Sequence, residues 1–130
     1  MIKDGVIVDT SVLIDFLKNT EPNAKAVESL IAAKRVFTTG IIMAELLQGI
    51  KSAKEEGYVT ELLDGIPAIE VNSATWVHAA RLACSLRRKG LTLPLTDVAI
   101  ATVAIEHKFS VFTLDKHFEQ IPGVVIYNAS

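Results

Sequence analysis

Four carboxylates stand where a chain of alternating strands and helices can most easily build chemistry. Asp9 ends an apolar run in "VIVDTSVLIDF", Glu45 lies in "MAELLQGI", Asp97 opens "TDVAIATVAIEHK", and Asp115 closes "FSVFTLD". Ligand sites in open parallel sheets lie at the carboxyl ends of strands, so these acids would face one edge. Crowded together they repel, each close pair costing about 4 kcal/mol at an effective dielectric near 20. A hard divalent cation turns that repulsion into binding. Asp and Glu oxygens without a His or Cys cluster point to Mg²⁺ or Mn²⁺ and away from zinc. His78, His107 and His117 have no zinc-site spacing and are expected to be surface or satisfied polar groups. Such an ion keeps several waters, one of which could attack a phosphodiester.

Each acid also has a plainer use. Asp9 could cap the helix that begins in "TSVL", Asp97 could complement a helix dipole, and Asp115 could hold the turn in "TLDKHF". Glu45 is harder to dismiss. Its helical neighbours at three and four residues include Ile41, Ile42 and Gly49, so it interrupts an apolar face and needs a partner there. Asp97 heads the run Val98 to Ile105, which is apolar on almost every side and should form a central buried helix whose positive end favours the ionised acid.

The elements that must position these residues follow from periodicity. Short apolar runs rich in β-branched residues predict strands at Val6 to Val8, Val36 to Thr38, Ile69 to Val71, Phe109 to Phe112 and Val124 to Tyr127. Helical patterns fill the gaps. "SVLIDFLKN" carries Ser11 near its cap, and "EPNAKAVESLIAAK" has Pro22 at its entry. "GIIMAELLQGIKSAKEEG" reads as one helix and "YVTELLDG" as a shorter separate one. "NSATWVHAARLACSLRRKG" has an Asn-Ser start and a basic last turn before Gly90, and the last long helix takes Thr96 as its cap. The class is α/β, with a central parallel sheet flanked by helices.

A chain of 130 residues, half of them hydrophobic and 22% charged, is read as one globular domain without internal repeats or linkers. The formal net charge of −2 lacks the basic bias of domains that hold nucleic acid mainly by charge. Contact with RNA would therefore need a local patch drawn from Arg81, Arg87, Arg88, Lys89, Lys51 and Lys54. For all of these a helix C-terminus or a solvated face is the plainer account. The single cysteine, Cys84, falls in an apolar helical pattern, is expected in the core, and fits a reducing compartment. No apolar run approaches the ~20 residues of a membrane span and no leader pattern opens the chain, so a soluble, cytoplasmic protein is expected.

At these motifs, and over essentially the whole chain, the sequence resembles the PIN-domain family of metal-dependent ribonucleases, and within it the VapC-type toxins of VapBC toxin–antitoxin pairs. The resemblance implies a PIN-like three-layer α/β/α domain over residues 1–130. It implies an endoribonuclease using Mg²⁺ or Mn²⁺, with Asp9, Glu45, Asp97 and Asp115 as the metal-holding acids. Ser11 becomes a hydroxyl that steadies the cluster or a bound water, and Thr113 a supporting hydroxyl. The implied partners are an RNA substrate, a small VapB-like antitoxin and a second copy of the chain, with no membrane.

Other readings fit less well. A housekeeping PIN nuclease in RNA processing shares every motif. A haloacid-dehalogenase-like phosphatase would need a second aspartate two residues after Asp9, where this chain has Ser11. A receiver domain would need a phospho-acceptor after the middle strand, where Asn72 and Ser73 stand. A dinucleotide-binding domain would need a glycine-rich turn after the first strand. An idle PIN-like binding module would be expected to lack at least one acid.

Overall fold

Val6, Ile7 and Val8 are wholly inaccessible to solvent, as a β-branched run buried on both faces should be. They form β1 (Val6–Val8), the centre of a four-stranded parallel sheet in a computed structural model that describes residues 4–129. The remaining strands are β2 (Val36–Thr39), β3 (Ala68–Ile69) and β4 (Ser110–Phe112), in spatial order β3-β2-β1-β4. Val6 pairs with Val36 on one side and with Ser110 on the other. From β1 the chain steps outward to β2 and β3, then returns to place β4 against the opposite edge of β1. The strand order therefore reverses between β1 and β4, where a crevice opens at the carboxyl ends.

Among the described residues six α-helices flank the sheet and complete the expected α/β/α layering: α1 (Thr10–Leu17), α2 (Asn23–Ala32), α3 (Gly40–Gln48), α4 (Ala53–Asp64), α5 (Ser73–Arg88) and α6 (Leu95–His107). α1 packs on α2, and α5 on α6. Every residue from Val98 to Ala104 is buried, as the all-round apolar composition of α6 requires. A close approach fixes the β1 entry. A Cβ on Gly5 would lie 2.5–2.6 Å from the Phe109 ring, which itself stacks on Phe37 at 4.8 Å.

Several boundaries differ from expectation. The single helix expected over residues 40–57 is two, because Gly49 ends α3 and the sequence "SAKE" starts α4. Ser52 accepts the Glu55 amide at 3.1 Å, and Glu55 accepts the Lys51 amide at 2.7 Å. The expected separate helix at "YVTELLDG" is the second half of α4, which continues through Gly57. The third strand is shorter and earlier than Ile69 to Val71, since it pairs only with β2 at the sheet's edge and the chain must reach the Asn72 cap of α5. The expected fifth strand is a single parallel bridge, Val111 to Ile126, with Val125 63% exposed on the open edge.

Thr96 does not cap α6. That helix starts at Leu95 behind Pro94, leaving Thr96 and Asp97 as its second and third residues. Cys84, expected in the core, is only half-buried, because the face of α5 that packs inward carries Thr75, Ala79 and Leu86. Arg81, Arg87, Arg88, Lys89, Lys51 and Lys54 are all exposed. Among the described residues, no helix is long and apolar enough to cross a membrane.

Candidate functional site

The crevice between β1 and β4 collects three of the four acids. Asp9 follows β1 directly, with its amide donating to the Phe112 carbonyl of β4 at 2.9 Å, so its position is fixed by the sheet. It occupies the cap position of α1 without making a capping bond from its side chain. Its buried carboxylate turns to the neighbouring strand instead. Asp9 Oδ2 accepts from Thr113 Oγ1 at 2.8 Å and from Ser11 Oγ at 3.3 Å.

Both hydroxyls are themselves held by main-chain amides. Thr113 Oγ1 accepts the Asp115 N–H at 2.9 Å, and Ser11 Oγ accepts the Leu114 N–H at 3.1 Å. An amide satisfies each hydroxyl's acceptor side, so each proton is free to point at Asp9. Two relays therefore converge on Oδ2, while Oδ1 takes part in neither. Burial nevertheless pushes the Asp9 carboxyl above its ordinary range. The bonds from Thr113, the Thr10 amide and Ser11 oppose that rise, and the nearby Asp115 charge adds to it.

Asp97 and Asp115 complete the group. Burial pushes the Asp97 carboxyl up; the His117 bond opposes this, while the charges of Asp115 and Asp9 reinforce it. Asp115 accepts the His117 amide at 2.9 Å, capping the 3-10 turn Lys116–Gln120, so its turn role and its place in the cluster coexist. His117 is the residue that sequence reasoning set aside and the structure brings in. Its Nδ1 lies 3.1 Å from Asp97 Oδ2 and 3.2 Å from Asp115 Oδ1. The hydrogen bond to Asp97 lifts the imidazole above its ordinary value. The available signal was its position two residues after Asp115 in "LDKHF".

Glu45 stands beside this group. Among the described residues its hydrogen bond is to Thr10 Oγ1, at 2.8 Å, and no bond or ion pair links it to the other acids. It is half-buried and so milder in cost than an acid inside an apolar face, because Ala44, Leu47 and Gln48 beside it are exposed. Glu45 and Thr96, the neighbour of Asp97, line the same cleft of about 660 Å³, which also contains Trp76 and Met43. Thr10, between Asp9 and Ser11, is the second partner the sequence did not single out.

The donor set suits a hard divalent cation. Three carboxylates converge, two of them with raised protonation tendency, and among the described residues no lysine or arginine pairs with any of them. His117 is the one basic side chain beside Asp97 and Asp115 among the described residues, and a single imidazole leaves most of the carboxylates' mutual repulsion in place for a hard divalent cation to offset.

A four-stranded parallel sheet with acids gathered at its switch point defines a class of α/β domain, and the model of the PIN domain family matches residues 6–124. The chain belongs to the PIN domain family. It is 31% identical over 134 residues to a ribonuclease VapC of Rickettsia bellii, with 94% of each chain covered. It is 25% identical over 126 residues to ribonuclease VapC1 of Methanocaldococcus jannaschii, covering 95% of this chain and 87% of that one. Among solved structures, DNA-bound VapBC from Salmonella typhimurium superposes with a TM-score of 0.83 at 21% identity, over 98% of this chain and 99% of that one, a likeness of fold.

Proposed function

We propose that residues 1–130 form a single PIN nuclease domain that hydrolyses RNA phosphodiester bonds as an endoribonuclease, with Mg²⁺ or Mn²⁺ held by Asp9, Asp97 and Asp115. The convergence of these three carboxylates at the β1–β4 switch point, without a lysine or arginine to neutralise them, carries the reading. When bound, the ion offsets charge growing on the phosphate and lowers the pKa of a coordinated water.

The chain's own residues hold and orient. Ser11 and Thr113 fix Asp9 by its Oδ2 and so direct the remaining oxygen. Glu45, steadied by Thr10, stands on the cleft wall where it can accept a hydrogen bond from water or complete the cluster through one. The cleft gives a strand of RNA room beside Glu45 and Thr96, the neighbour of Asp97.

The VapC relatives and the VapBC neighbours support a more specific assignment, the toxin of a two-protein pair restrained by a small VapB-like antitoxin, and we propose with it a homodimer acting in the cytoplasm. The test is cleavage of a defined RNA by purified, antitoxin-free protein. Wild type should cut with Mg²⁺ or Mn²⁺ and stop with chelator, and Asp9→Asn should remain folded by circular dichroism and lose cleavage. Full activity in Asp9→Asn would overturn the assignment.

A further inference from the structure

We infer that His117 is itself a ligand of the divalent ion, giving the centre an imidazole nitrogen beside the Asp97 and Asp115 oxygens and, with it, a preference for Mn²⁺ over Mg²⁺. This rests on the metal-dependent nuclease reading above and adds a residue to it.

The spacing carries the inference. His117 Nδ1 lies 3.1 Å from Asp97 Oδ2 and 3.2 Å from Asp115 Oδ1, and one donor atom from each residue lies within 4.8 Å of the other two. Adjacent ligands around an octahedral ion with bonds of about 2.1 Å are separated by roughly 3 Å, and opposite ones by roughly 4.2 Å. The two nitrogen–oxygen separations thus match those of adjacent ligands on a shared ion, which would take the place of the proton that Nδ1 shares with the carboxylates.

The ring is also held in place. The His117 amide donates to Asp115 Oδ1 at 2.9 Å, and the adjacent Phe118 is wholly buried, so the 3-10 turn is anchored on both sides of the imidazole. The His117 side chain remains 44% exposed, leaving the site open to ion and solvent. A nitrogen donor in an otherwise oxygen site favours Mn²⁺, which accepts an imidazole more readily, over Mg²⁺, which demands oxygen ligands in near-ideal geometry and keeps its waters.

The experiment is pulsed electron paramagnetic resonance of Mn²⁺ added to the full chain, with Mn²⁺ and Mg²⁺ affinities measured in parallel. Wild type should show modulation from a directly bound nitrogen, altered when the histidines are ¹⁵N-labelled. His117→Asn places an amide oxygen near the position of Nδ1, and should abolish that modulation. It should also weaken Mn²⁺ by at least about tenfold, the lower end of what even an outer-sphere partner costs, and weaken Mg²⁺ by less. A thermal melt in chelator confirms that the variant is folded, and the wild-type signal needs no variant at all. Mn²⁺ bound without a nitrogen ligand, or a signal that persists in His117→Asn, overturns the inference and leaves the nuclease reading standing. Failure of wild type to bind Mn²⁺ at millimolar ion overturns both.

Discussion

Replacing Asp97 by asparagine should stabilise the metal-free protein while removing its response to metal. One oxygen of Asp97 lies within 4.8 Å of one on Asp115, and at an effective dielectric of 20 two full charges at that separation repel by about 3.5 kcal/mol. Water screens the pair, since the Asp115 side chain is 35% exposed, and about 1–2 kcal/mol of repulsion remains. Asparagine also deprives His117 of a charged acceptor, which offsets up to about 1 kcal/mol. The net gain is about 1 kcal/mol, or about 4 °C in melting temperature for a chain of this length. Wild type should instead gain about 2.7 kcal/mol when Mn²⁺ is raised to a hundredfold over its dissociation constant, and Asp97→Asn should gain almost nothing. Thermal melts of both proteins, in chelator and in Mn²⁺, measure all four states. A variant less stable than wild type in chelator would show that the native bonds of Asp97 outweigh its repulsion. A variant stabilised by Mn²⁺ as much as wild type would remove Asp97 from the ion's ligands.

Thr113→Val removes the donor to Asp9 and the acceptor of the Asp115 amide together, and should cost about 1–3 kcal/mol and weaken Mn²⁺ binding, with Thr113→Ser recovering most of both; unchanged urea midpoint and affinity would refute the relay. Gly5→Ala drives a methyl group into the Phe109 ring and should cost about 1–3 kcal/mol in urea unfolding, so a midpoint equal to wild type would show that the ring moves aside freely. Burial raises the Glu106 carboxyl, but bonds from His78 and Thr75 outweigh it and leave it below its usual value of 4.5. Its stabilising effect is therefore complete above pH 4.5 and lost as the pH falls through the lower folded value. Glu106→Gln should flatten that acid limb in a pH series of unfolding midpoints, and an unaltered limb would show that the α5–α6 clamp contributes nothing there.

What the sequence disclosed and what it hid divide along the range of the interactions. Local pattern was enough for β1, for the exit of Asp9 at its end, and for an α6 apolar on every side with Asp97 in its first turn. Even local signals were missed where two competed: apolar residues continue past Gly49, and the "SAKE" box that restarts the chain as α4 was outweighed by them. Edge elements failed for another reason. Residues 68–71 and 124–127 have strand-like composition, but each has a partner on one side only, and ladder length depends on that partner. The organisation of the site is longer in range still. Asp9 and Thr113 are separated by 104 residues, Ser11 and Leu114 by 103, and both bonds exist because β4 lies against β1 and not beyond β3. No periodicity in the chain encodes that adjacency. The same step explains His117. As an isolated histidine it resembles a solvated side chain, and only when β4 delivers Asp115 to the mouth of β1, with α6 presenting Asp97 above it, does its ring nitrogen fall between two carboxylates. Residues read singly from sequence are therefore most easily undervalued where a sheet's strand order reverses, because neighbours there are chosen by topology and not by proximity along the chain.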